Sequence, residues 1–183
     1  MPLILASSSP RRRELLEHAG LEFTVVPSPA EEIHDASLNP EVLCEKNAEL
    51  KAEAVASQFP DATVIGSDTL VFIDDTPLGK PADMDDARAM LRRLSGRTHF
   101  VCSGVCIIFP GNRRKSFHGL TDVTFKPLTD AQIDAYFAHC NPLDKAGAYG
   151  IQDNGDLIIE SISGSFDNVM GLPTDLVLAA LRH

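Results

Sequence analysis

The chain has 183 residues, 44% of them hydrophobic, and a formal net charge of −10 from 26 acidic against 16 basic residues. That length supports one domain with a real core, or two small lobes around a cleft, and the acidic balance argues against a duplex nucleic-acid binder. No apolar stretch approaches the roughly 20 residues needed to span a bilayer, the opening residues lack the basic and apolar regions expected of a signal peptide, and Cys44, Cys102, Cys106 and Cys140 form no CxxC pair. A reduced, cytoplasmic protein without a membrane partner is expected.

Residues 2–6 read as a short buried strand. Ser7-Ser8-Ser9-Pro10-Arg11-Arg12-Arg13 then opens a helix over 10–18, with serines as caps, Pro10 at the first helical position and Gly20 as the stop. Three arginines in the first turn sit at the positive end of the helix dipole, where cations are disfavoured by roughly 0.3–1 kcal/mol each. Backbone N–H groups, serine hydroxyls and guanidiniums thus converge on one spot, which suits a polyanion such as a phosphate chain. The site is not a Walker A loop, because no GxxxxGK[ST] segment exists. It is not a serine-hydrolase elbow either, since glycines do not flank the serine. In an acidic chain such an anion is expected to arrive with, or meet, a divalent cation.

Residues 22–27 read as strand, and a polar stretch over 28–39 leads to Pro40 and a helix to about Phe59. On that helix Glu45 and Glu49 share a face while Lys51 projects elsewhere. Residues 63–73 form a strand holding Gly66-Ser67-Asp68-Thr69. Asp68 at a strand end is either a cap for a local turn or a ligand for metal and water. Asp74-Asp75-Thr76-Pro77 reads as a turn, and Leu78-Gly79-Lys80-Pro81 places a lysine in a second, rigid one. That lysine is either a phosphate contact or a solvated turn residue.

A helix over 83–94 capped by Asp83 precedes two long strands, 98–109 and 116–126, paired as a hairpin through Pro110-Gly111-Asn112. Cys102 and Cys106 share one face of the first and read as small buried residues rather than zinc ligands. A helix over 129–139, loop-rich strands over 146–170 and a closing helix over 173–181 complete an α/β chain with a mixed sheet and flanking helices. Within the loop-rich region, Asp144 to Gln152 (DKAGAYGIQ) is either a Gly-rich connector or a close backbone approach to a ligand. There the Gln152 amide can donate to and accept from a nucleobase edge.

SSSPRRRELL, Glu32, the ELKA of Glu49 to Ala52, GSDTLV, LGKP, LSGRTH, DKAGAYGIQ and NVMGLPTDL together resemble the Maf family of nucleoside triphosphate pyrophosphatases, from residue 3 to the end. DKAGAYGIQ resembles the branch that prefers dTTP and UTP. The resemblance implies an inosine triphosphate pyrophosphatase-like α/β fold of two lobes flanking a cleft, with residues 1–183 as one such domain. It implies hydrolysis of a nucleoside triphosphate to monophosphate and pyrophosphate by water attack at the α-phosphorus, assisted by Mg²⁺ or Mn²⁺. By motif, Ser7, Ser9, Arg11 and Arg12 hold the triphosphate, and Glu32 and Asp68 serve metal and water, with Asp68 as proton acceptor. Lys51 and Lys80 neutralise phosphate charge, while Arg11, Thr69 and Gln152 set substrate choice.

A homodimer is also implied, and a nucleotide-binding regulator of septum formation without turnover is the alternative role. Such a binder needs the arginines and lysines but has no use for Glu32 and Asp68. The chain departs from the family pattern at Ser8, where Gly or Gln is usual, and at Asp153, where Gly usually follows the glutamine. Asp153 places an acid beside the base-reading amide, where it could accept from a base amino group and admit CTP.

Overall fold

The computed structural model describes residues 1–182. In chain order the elements are β1 (Leu3–Leu5), α1 (Pro10–His18), β2 (Thr24–Val25), α2 (Pro40–Ala56), β3 (Thr63–Ile73), β4 (Thr76–Leu78), α3 (Met84–Leu94), β5 (Thr98–Phe109), β6 (Arg113–Phe125), α4 (Asp130–Phe137), β7 (Ile159–Ser163), α5 (Phe166–Met170) and α6 (Thr174–Leu181). The helix starts follow cap chemistry. Side-chain oxygens of Ser9, Asn39, Asp83 and Thr129 accept backbone N–H groups at the openings of α1, α2, α3 and α4. Pairing is mixed: β1 runs parallel to β2 and β3, whereas β4 is antiparallel to β3 and β7 to β6.

Three stretches differ from the sequence reading. The strand expected over 22–27 contracts to Thr24–Val25, because Pro27 has no N–H with which to continue the ladder. The turn expected over 74–77 is only Asp74-Asp75, both in the left-handed region (φ 49° and 58°), and Thr76 and Pro77 belong to the returning strand β4. Aspartate tolerates that conformation, and two such residues make a tight hairpin turn. The strands expected over 146–170 reduce to β7. The preceding residues form 3-10 turns at Pro142–Asp144, Ala146–Ala148 and Gly155–Leu157. The following residues form helix α5, where the Ser165 hydroxyl accepts the Asn168 N–H.

The chain divides into two compact units, with β3, β5 and β6 each contributing residues to both. The first comprises Met1–Thr69, Ser103–Gly119 and the segment from Gly171 onward. Its core joins Ile4 and Ala6 of the β1 region, Val64 of β3 and Cys106 and Ile108 of β5 to Ala48, Ala52 and Val55 of α2. α2 approaches these strands closely enough to exclude any Cβ at Gly66 or Gly104. A methyl at Gly66 would lie 2.7 Å from the Ala52 nitrogen, and one at Gly104 2.6 Å from the Glu45 nitrogen. The second unit comprises Leu70–Cys102 and Leu120–Met170. Its core gathers Val71, Leu91, Leu94, Val101, Phe125, Ile133, Tyr136 and Ile158. Among the described residues no helix is long and apolar enough to cross a membrane.

Gly66→Ala is expected to destabilise the protein by about 3 kcal/mol or more, at the upper end of what overpacking costs, since the obstruction is helix backbone that cannot rotate away. Urea unfolding of the variant against wild type measures this, and a cost below about 1 kcal/mol would mean that α2 can retreat from β3.

Candidate active site

α1 follows β1 through Ser7-Ser8-Ser9, so its first turn is anchored at a strand end. Ser9 is the N-cap, its hydroxyl accepting the Arg12 N–H at 3.5 Å. The Ser7 hydroxyl accepts the Ser9 N–H and Arg12 Nη1, both at 3.2 Å. Arg12 also donates through Nη2 to Thr69 Oγ1 at 3.1 Å and through Nε to the Gly171 carbonyl at 2.8 Å. All three guanidinium nitrogens are therefore fixed, and these bonds use three of the five N–H donors of an arginine.

The Gly171 carbonyl collects three donors in all, since Ser67 Oγ and Thr69 Oγ1 also reach it at 3.2 Å. Thr69 Oγ1 in turn meets Ser103 Oγ at 2.7 Å. Gly171 adopts φ +126°, which only glycine takes without strain. Burial lowers the Arg12 pKa; Asp68 opposes that shift and the neighbouring Arg11 charge adds to it. The three arginines do not converge: Arg13 turns outward to an exposed pair with Glu17 at 2.7 Å. Arg13, at the fourth position of the helix, faces away from the residue before it, and Glu17 lies one turn further on.

The acids meet in the same unit. Asp68 is 3% exposed and lies within β3 rather than at a strand end, so no local turn requires its cap. Lys51 Nζ bridges Asp68 Oδ1 at 2.8 Å and Glu32 Oε1 at 2.6 Å. Asn47 Nδ2 donates to the other Asp68 oxygen at 3.1 Å. As read from the sequence, Glu45 and Glu49 occupy a different face of α2. Glu45 pairs with His118 at 2.6 Å, and Glu49, with Glu53, pairs with Arg114.

Among the described residues no group of three or more His, Cys, Asp or Glu side chains could hold a metal ion by itself. The pair of Glu32 and Asp68 nevertheless fits Mg²⁺ or Mn²⁺. One ammonium already sits between their two hard oxygens, and Mg²⁺ characteristically takes one or two carboxylates and completes its shell with water and substrate phosphates.

Lys80 and Gln152 belong to the second unit. Lys80 is exposed, in a turn tied down by the Gly147 N–H donating to the Gly79 carbonyl at 3.1 Å. Gly79 does not use the left-handed region; Gly147 does, at φ +71°, against Val71. The segment around Gln152 is held from several sides. Tyr136 Oη donates to the Gly150 carbonyl at 3.1 Å and accepts the Gly150 N–H at 3.0 Å. Tyr149 Oη meets His99 Nε2 at 2.7 Å.

Buried Lys145 donates to the Asn141 carbonyl and to Asp144 at 2.8 Å, with Asp153 at 3.4 Å. Asp153, the departure from the family pattern, is thereby turned to a lysine. Among the described residues Gln152 Oε1 is enclosed without a hydrogen-bond partner. Asn47, Ser67, Ser103, Tyr136, His99 and Gly171 carried no role in the sequence reading. Asn47 had a usable signal, since it lies one helical turn before Lys51 and so shares its face. Ser103 had none, because a serine inside an apolar strand says nothing of which hydroxyl lies opposite it.

A helix opening rich in donors, an immobilised guanidinium and a lysine shared by two acids, set on a mixed α/β sheet, define a protein built to handle an anionic, phosphate-bearing ligand. The chain belongs to the Maf-like protein family, whose sequence pattern matches residues 2–183. It is 51% identical over 181 residues to the dTTP/UTP pyrophosphatase of Akkermansia muciniphila, covering 99% of this chain and 95% of that one. It is 48% identical to the dTTP/UTP pyrophosphatase of Nitratidesulfovibrio vulgaris, covering 98% and 86%. The solved structure of the Staphylococcus aureus Ham1 protein shares the fold, with a TM-score of 0.59 at 16% identity, covering 100% of this chain and 98% of that one.

Burial pushes the His99 pKa from 6.5 to about 4, so the folded protein binds a proton there less readily than the unfolded chain does. Stability contributed by neutral His99 is complete above about pH 6.5 and is lost as pH falls toward 4. The contribution is on the order of 3 kcal/mol. Unfolding of wild type and His99→Phe between pH 4 and 7 is expected to show a shallower acid slope in the variant, and parallel slopes would remove His99 from that account.

Proposed function

We propose that residues 1–183 act as one nucleoside triphosphate pyrophosphatase domain, hydrolysing dTTP and UTP to the monophosphate and pyrophosphate. The observation that carries this reading is the Lys51-bridged pair of Glu32 and Asp68 in the same unit as the Ser7–Arg12–Thr69 cradle. A protein that only bound nucleotide would need the cradle alone. The names of the relatives supply the substrate class.

In this reading the two remaining N–H donors of Arg12, with Arg11, Ser7, Ser9 and Lys80, hold the phosphate chain. Asp68 accepts the proton of the attacking water. The water oxygen bonds to the α-phosphorus as the bond from that phosphorus to the leaving pyrophosphate breaks. Lys51 sets an ammonium against both acids. Glu32 and Asp68 would hold Mg²⁺ or Mn²⁺, which would neutralise phosphate charge and acidify water. Positioning and charge neutralisation then supply most of the rate, with no covalent intermediate. Gln152 Oε1 accepts from a base N–H, and a base that presents no donor at that place would leave it unpaired. The setting we infer is cytosolic, consistent with four cysteines that form no disulfide, and the assembly a homodimer.

Asp68→Asn is expected to lower kcat for dTTP at least about 100-fold while nucleotide binding persists. Pyrophosphate release is the assay. Near-normal turnover of the folded variant removes Asp68 from the mechanism, and a wild-type protein that binds dTTP without releasing pyrophosphate would be a regulator instead.

Arg12→Ala should cost roughly 1.5–3 kcal/mol in kcat/KM with every nucleotide, because phosphates carry no base identity. Gln152→Ala should narrow the gap between dTTP or UTP and the purine triphosphates by about 1–3 kcal/mol. Asp153→Gly should leave the rate with CTP relative to UTP unchanged, since Asp153 faces Lys145. Equal losses with all bases in Gln152→Ala would make Gln152 structural.

A further inference from the structure

Asn47 is 1% exposed and lies on α2 one turn before Lys51. Its amide is used from both ends. Oδ1 accepts the Ile33 N–H at 2.7 Å, and Nδ2 donates to the Ile33 carbonyl and to Asp68 Oδ2, each at 3.1 Å. It grips the Ile33 main chain on donor and acceptor sides as a neighbouring strand would, in a segment over 28–39 that has no regular secondary structure.

The residue before Ile33 is Glu32, which reaches Lys51, and Lys51 reaches the other oxygen of Asp68. The contacts close a ring: Asn47 to Ile33, along the chain to Glu32, to Lys51, to Asp68 and back to Asn47. Lys51 alone could hold the two acids at many separations, because an ammonium on a flexible four-carbon stem accepts partners over a wide range of directions. A short planar amide bonded at three points does not.

We propose that Asn47 is a positioning residue for the carboxylate pair, fixing the main chain beside Glu32 relative to Asp68. The inference rests on the reading that Glu32 and Asp68 serve the hydrolysis and its divalent cation. An apolar residue of the same volume would fill the space but strand the Ile33 N–H and carbonyl and release one Asp68 oxygen. The phosphate cradle shares no atom with the ring, so its loss should appear in turnover and cation affinity rather than in nucleotide affinity.

The test compares full-length wild type, Asn47→Ala, Asn47→Asp and Asp68→Asn in three measurements. These are kcat and KM for dTTP, Mn²⁺ affinity by calorimetry without nucleotide, and amide hydrogen exchange at Ile33. Asn47→Ala is expected to lower kcat and Mn²⁺ affinity about 10- to 100-fold, the usual cost of losing a residue that orients a cation's ligands. KM for dTTP should stay within about threefold, and the Ile33 amide should lose protection. Asn47→Asp keeps the volume and the acceptor for the Ile33 N–H but puts a carboxylate against Asp68. It serves if the alanine variant does not fold, and its kcat should fall at least as far.

Folded Asn47 variants with kcat and Mn²⁺ affinity within about twofold of wild type overturn the proposal when Asp68→Asn is inactive. So does a rise in KM with kcat unchanged. An active Asp68→Asn overturns the underlying reading, and this inference with it.

Discussion

Helix α2 lies against β3 and β5 at a distance that glycine alone permits, and the arrangement of the acids follows from that contact. Gly66 and Gly104 give helix backbone the room that a Cβ would take. With the helix seated there, two residues one turn apart, Asn47 and Lys51, both reach Asp68 in β3. Were α2 lifted by the width of a methyl group, the bonds at 2.8 and 3.1 Å would open beyond useful length. The close packing that stabilises the first unit is also what sets the spacing of its chemistry.

Charge is managed differently at the two groups of the first unit. Asp68 is nearly inaccessible and stays tolerable because an ammonium and an amide N–H each take one of its oxygens. Arg12 is a cation drawn inward, held by hydroxyls and a carbonyl rather than by a carboxylate. Its hydrogen bonds go to neutral groups, and the charges of Asp68 and Glu32 act on it only through space. An acid within bonding reach would have spent that charge inside the protein. The acids instead share Lys51, so the unit offers both a guanidinium hydrogen-bonded to neutral groups and a pair of carboxylates already at close quarters.

Much of this was legible in the sequence. Caps gave the helix starts at Ser9 and Asp83, because a side chain bonding to a backbone N–H two or three residues on is a local event. The strand over 63–73 and the burial of Cys102 and Cys106 followed from apolar runs. The motif residues Ser7, Arg12, Thr69, Lys51, Glu32 and Asp68 could be named in advance, and their grouping in one unit could not.

Arg13 illustrates the limit. Composition placed three arginines together, but helical geometry sends adjacent side chains in different directions, and Glu17 was there to receive one of them. Region 146–170 failed for another reason. Gly147, Ala148 and Asn154 all take positive φ, which breaks a strand without altering its apolar pattern. Ser103 and the Gly171 carbonyl act through partners distant in the chain, and no local pattern reports those.

Arg12 donates to a carbonyl 159 residues further along. The first unit is closed by the chain's last segment, which supplies the acceptor shared by Arg12, Ser67 and Thr69. Residues 32–68 complete the carboxylate ring among themselves, so those contacts can form while synthesis is under way. The guanidinium has no such option. During elongation at about 5–20 residues per second its final acceptor is still missing for many seconds after Arg12 itself has been made. Arg12 thus gains its last partner late, and a chain cut short before Gly171 would carry the serines and arginines at the opening of α1 without the carbonyl to which Arg12 Nε donates.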